Sequence, residues 1–246
     1  MRIPILGVPF DALTLNEAAE SARKMIAAGH GGMIATVNPE ILLLSRRDRD
    51  LAESIGRADL ILADGIGVVL ASRLLHTPLP ERVAGADLTP RLLEALDARR
   101  GSVFLYGARP GVAERAAHRL EREYPGVRVA GVEDGYGTEA ERVRREIARA
   151  RSDLLLVGLG APRQERFMAQ NRDSLGPVMI SVGGLLDVMA GDVKRAPELW
   201  QKVGAEWLYR LYQQPERIKR VAGLPRILTL CAAERWKNGT PRGPAS

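Results

Sequence analysis

The chain has 246 residues, enough to bury a core and form one α/β domain, or one domain with an appendage. Its 46% apolar and 27% charged residues are those of an ordered globular protein and argue against disorder. A lone cysteine, Cys231, excludes an internal disulfide framework and a thiolate metal cage, while the net charge of +6 hints at an anionic partner.

In chain order, the N-terminal stretch "MRIPILGVPFDALT" is interrupted by prolines and an acid and does not read as a signal peptide. No apolar run reaches the roughly 20 residues needed to cross a bilayer, so a cytoplasmic, soluble chain is expected. "TLNE" (14–17) has the spacing of a capping box and opens a helix. The apolar runs at 32–37, 59–63, 102–107, 127–132, 153–158 and 178–183 read as strands, separated by longer amphipathic stretches. Asn38 with Pro39 marks a second helix start, "TEAE" (138–141) a further capping box, and Pro162 opens "APRQERFMAQN". Nearly unbroken apolar strands alternating with helices predict an α/β fold, a Rossmann-like, mostly parallel sheet with helices on both faces.

Ligands of such sheets sit beyond the carboxyl ends of the strands, where helix N-termini converge. Thr36 and Asn38 mark one such loop and Asp64 the next, while the turns at 106–111, 157–164 and 182–187 are rich in glycine. Asp64 has two readings, a cap for the helix starting near Ile66 or a carboxylate that takes a proton from a hydroxyl nucleophile. Gly65 and Gly67 raise a dinucleotide site, but Leu70 stands where its third glycine belongs. "DRD" (48–50) has the form of a metal-binding Asp-x-Asp, yet arginines flank it in a helix-like stretch, which reads as a solvated face. His30, His76 and His118 are scattered; no metal and no cofactor is expected.

From residue 194 on there are eleven Lys and Arg against four Glu, so the excess positive charge lies entirely in the last fifth of the chain. Trp200, Trp207 and Trp236 are there too. We therefore divide the chain into a Rossmann-like body, 1–193, and a basic, aromatic-rich helical appendage, 194–246. Three readings of the appendage stay open: packing helices, a membrane-surface element, or a nucleic-acid contact.

Taken together and in order, "TVNPEILLLSRRDRDLAESIGRADLILADGIGVVLASRL", "VGLGAPRQERFMAQN" and "VGGLLDVMAGDVKRAPELWQKVGAEWLYRLYQQPERIKR" resemble the WecG/TagA/CpsF glycosyltransferases, glycosyltransferase family 26. "LYGARPGVAERAAHRLEREYPGVRVAGVEDGY" resembles it more loosely, and the likeness covers about residues 3–230. The resemblance implies an inverting, metal-independent transferase that moves an N-acetylmannosamine-type sugar from UDP to N-acetylglucosamine on an undecaprenyl diphosphate carrier. It would work at the inner face of the cell membrane, in assembly of a cell-surface polymer such as teichoic acid. The donor would be UDP-N-acetylmannosamine or its uronic acid, and the appendage would touch the anionic membrane and complete the site.

On that resemblance Asp64 is the general base. Thr36, Asn38 and Gln164 are expected to orient the sugars. Gly107, Gly158, Gly160, Gly183 and Gly184, with Tyr136 and Asp187, are candidates for the uridine and diphosphate side. Arg210, Arg217 and Arg220 are expected to meet the charge on the leaving diphosphate. A nicotinamide-dependent oxidoreductase and a non-catalytic basic adaptor are the rival classes. A nucleic-acid partner is not expected, and the oligomeric state stays open, a homo-oligomer included.

Overall fold

A computed structural model describes residues 1–137, 139–193 and 223–239. It opens with an antiparallel hairpin, β1 (Arg2–Ile5) and β2 (Val8–Asp11), which the apolar patterning did not reveal. The six expected strands all form, as β3 (Gly32–Val37), β4 (Leu60–Ala63), β5 (Ser102–Gly107), β6 (Arg128–Glu133), β7 (Leu154–Gly158) and β8 (Val178–Ser181). They pair in parallel in the order β4-β3-β8-β7-β5-β6. Every residue of β3, β4, β5, β7 and β8 is buried, which is why these runs carry no polar alternation.

Ten helices are described: α1 (Leu15–Ala28), α2 (Pro39–Ser45), α3 (Arg49–Gly56), α4 (Ile66–Leu74), α5 (Gly85–Ala98), α6 (Val112–Glu123), α7 (Ala140–Ala150), α8 (Arg163–Asn171), α9 (Leu185–Ala190) and α10 (Gly223–Gly239). The box at Thr14 and Glu17 caps α1 as read, and Asn38 Oδ1 accepts from the Ile41 amide to cap α2. The box expected at 138–141 is corrected: α7 starts at Ala140 with Glu139 at its N-cap and no side-chain cap, and Thr138 lies outside the described residues. "DRD" is a helix start, in which Asp48 accepts from the Leu51 amide and pairs with Arg166 of α8.

The sheet is covered on both faces. The hairpin, α2, α3, α4, α7 and α8 bury one face, with Phe167 packed edge-on against Tyr106. Helices α1, α5, α6 and α9 bury the other. Connections leaving β3 and β7 thus go to one face and those leaving β8 and β5 to the other, so loops part along the carboxyl edge. From the basic appendage, α10 lies against α2 and α4 and contributes buried Ile227 and Cys231 to the first core. Trp200, Trp207, Arg210, Arg217 and Arg220 fall outside the described residues.

Ile227 is fully buried, so Ile227→Ala should cost about 2–5 kcal/mol of local stability. Amide hydrogen exchange checks it: α10 should lose protection while β3, β7 and β8 keep theirs.

Candidate active site

The parallel order brings the marked loops to one edge in a row: Asp64 after β4, Thr36 and Asn38 at the end of β3, then the ends of β8, β7 and β5. With strands about 4.8 Å apart, this row runs on the order of 20–25 Å from Asp64 to the loop after β6 that carries Tyr136.

At the β4 end stands Asp64, one residue before Gly65, the N-cap of α4. Its carboxylate faces the N-terminus of α5, where the Gly85 amide donates to Oδ2 at 3.4 Å. That approach depends on glycine: a Cβ on Gly85 would lie 3.2 Å from the Ser181 carbonyl and 3.4 Å from the Thr36 side chain. Thr36, 5% exposed, donates its hydroxyl to the Ser181 carbonyl at 2.9 Å, and its amide donates to Ser181 Oγ at 2.9 Å. Thr36 therefore ties β3 to β8 beside Asp64. Asn38 spends Oδ1 on its helix, leaving the amide nitrogen as the group to offer a ligand.

Further along, Gly107, Gly158 and Gly183 make a floor of bare backbone across β5, β7 and β8. Gly107 has φ +136, and a side chain there would collide with the Gly158 backbone. Gly158 is in turn pressed by the Gly183 carbonyl, 2.9 Å from where its Cβ would stand. Gly160 sits in the turn before α8 and Gly184 caps α9, which carries Asp187 in its first turn. Tyr136 is 58% exposed on the loop whose Gly135 amide donates to the Ala108 carbonyl, which sets that loop beside the floor.

Gln164 reaches this edge from beneath. It is 3% exposed, and its Oε1 accepts from the Gly183 amide at 3.2 Å while Nε2 donates to Glu165 Oε1 at 2.8 Å.

Five positions escaped the sequence reading. Ser181 and Gly85 look ordinary in sequence. Arg82 precedes the residue whose amide bonds the end of β4 and pairs with Asp87 at 2.5 Å. Arg109, 69% exposed in the turn after β5, stands 3.9 Å from Asp187 and supplies a cation at the floor. Glu165 is fully buried, and its Oε2 has no hydrogen-bond partner among the described residues. Among the described residues, no three His, Cys, Asp or Glu side chains are grouped to hold a metal ion.

Comparison with known proteins finds relatives across nearly the whole chain. A family model described as "Glycosyl transferase WecG/TagA/CpsF family" matches residues 3–241. The N-acetylglucosaminyldiphosphoundecaprenol N-acetyl-beta-D-mannosaminyltransferase of Bacillus subtilis (strain 168) is 40% identical over 210 residues, 84% of this chain and 82% of its own. The protein of the same name from Bacillus spizizenii is 38% identical over 81% of this chain and 78% of its own. That from Staphylococcus aureus (strain MW2) is 35% identical over 96% and 94%.

Burial holds the Glu165 carboxyl above its ordinary range, opposed in part by the Gln164 hydrogen bond. A raised folded-state value gives stabilisation that is complete below the ordinary glutamate range and is lost as pH rises through the raised one. Glu165→Gln lacks this titration, so urea unfolding should show the native chain losing stability relative to the variant as pH rises above about 4.5. A difference that stays flat with pH would contradict it.

Proposed function

The chain belongs to the WecG/TagA/CpsF glycosyltransferase family, and on that premise we propose which sugar it moves and how. It transfers N-acetylmannosamine from UDP-N-acetylmannosamine to the N-acetylglucosamine of an undecaprenyl-diphosphate-linked acceptor, in assembly of a teichoic acid linkage unit or a related surface polymer. The names of the relatives support the sugar transferred and the acceptor.

Asp64 is the general base, and one observation carries that assignment. Its carboxylate accepts from the Gly85 amide beside Thr36, at the ligand edge of the sheet. In the step proposed, an acceptor hydroxyl attacks the anomeric carbon of the donor. Asp64 takes the hydroxyl proton, the new C–O bond forms, and the bond to UDP breaks on the opposite face, taking the electron pair with it. The configuration inverts, and one base suffices.

The donor side lies over the glycine floor, where free backbone approaches a diphosphate and the N-terminal turn of α9 points toward it. Tyr136 stacks on the uracil, Asp187 accepts from the ribose or base, and Asn38 orients the sugars. Gln164, expected from the sequence to do the same, is buried beneath the edge with both polar ends engaged by protein. The leaving diphosphate gathers negative charge that cations must meet without a metal. Arg109 is at the floor, and Arg210, Arg217 and Arg220 of the appendage are assigned the same task. No helix among the described residues is long and apolar enough to cross a membrane. The basic, tryptophan-bearing appendage is therefore proposed to rest on anionic lipid at the inner face, where the carrier lipid presents the acceptor.

Asp64→Asn keeps size and polarity but cannot take the proton. Release of UDP from UDP-N-acetylmannosamine with a lipid-linked N-acetylglucosamine acceptor should fall roughly 100-fold or more, with UDP affinity unchanged. Equal turnover would move the base elsewhere.

A further inference from the structure

Glu165 stands outside every step described above, yet it is the most completely buried carboxyl at the site. It lies in the first turn of α8, is 0% exposed, and is bounded in sequence by two arginines that point away from it. Arg163 donates to the Gly135 carbonyl at 2.9 Å, and Arg166 pairs with Asp48 of α3 at 2.6 Å. Neither is bonded to Glu165, whose one side-chain donor among the described residues is Gln164. A buried carboxylate with an orphan oxygen costs far more than a buried neutral acid, and burial accordingly pushes the Glu165 carboxyl above its ordinary range.

Its contact fixes an amide that has two possible orientations. Gln164 Nε2 donates to Glu165 Oε1, which leaves Oε1 of Gln164 to accept from the Gly183 amide. Turned over, Gln164 would set its NH2 against the Gly183 N–H, donor to donor. Gly183 bounds the floor, since its carbonyl stands 2.9 Å from where a Cβ on Gly158 would lie and Gly158 pairs with Gly107 across β7 and β5. Two residues later α9 begins, with Asp187 in its first turn.

We propose that Glu165 is a positioning residue for the nucleotide half of the donor, acting through Gln164 to hold the Gly183 turn and the glycine floor in their binding geometry. The inference rests on assigning that floor to UDP. A neutral acceptor at this place is what the relay requires, and a negative charge is not.

The test is UDP affinity of the full chain by calorimetry, with thermal midpoints recorded for each variant. Glu165→Leu fills the same buried space but offers Gln164 no acceptor, and it should weaken UDP binding roughly tenfold, the scale of one lost hydrogen bond. Glu165→Gln restores an acceptor without a charge and should bind within about twofold of the native chain. In a Gln164→Ala background, Glu165→Leu should cost nothing further, since the relay is already cut. Glu165→Leu binding UDP as well as the native chain, or effects that multiply in the double variant, would overturn the inference while leaving the transferase reading intact. A loss that Glu165→Gln fails to restore would overturn it too. A native chain that binds no UDP would sink the assignment of the floor itself, and this inference with it.

Discussion

Six strands paired in parallel must all end on the same edge, and each candidate position in this protein depends on that constraint. No two of Asp64, Thr36, Gly158 and Gly183 are neighbours in sequence, yet the order β4-β3-β8-β7-β5-β6 lines them up. The helices then decide which loops close over the edge and which part from it. At β3 and β8 the chain leaves toward opposite faces, and the Thr36–Ser181 bonds hold those two strand ends together at that opening.

The edge is built differently at its two ends. Around Asp64 it is tight and polar, with a helix N-terminus brought close because Gly85 has no side chain to block it. Across β5, β7 and β8 it is bare backbone in close contact, flanked by Asp187, Arg109 and the exposed Tyr136. A tight carboxylate suits proton abstraction from a hydroxyl, and an open backbone floor suits a diphosphate. Glu165 and Gln164 join α8 to that floor from below, so the face of the sheet away from α5 also bears on the site.

Much of the fold was legible because burial on both faces writes itself into sequence as nearly continuous apolar runs; five of the six sheet strands are marked that way, and the edge strand β6 is only partly buried. The first hairpin was not, since Pro4 and Pro9 sit opposite each other in it and break the apolar runs that would announce strands. The surroundings of Asp64 were not legible from local pattern, because its partner at the α5 N-terminus, Gly85, is 21 residues away. Glu165 was invisible for a related reason. In "PRQERF" it reads as one charge among several on a solvated helix, and only the packing of α8 against the sheet shows it buried. Gln164 was singled out in the sequence, though not its path to the edge from beneath.

The central claim is a division of labour along one edge, nucleotide over the glycine floor and acceptor beside Asp64. The crystal structure of the chain with UDP bound tests it most directly. The account predicts the diphosphate over Gly107, Gly158 and Gly183, with the uracil toward Tyr136 and the Asp64 carboxylate facing the open end where the sugar would lie. UDP lodged against Asp64 and Thr36, or at the amino ends of the strands, would contradict it.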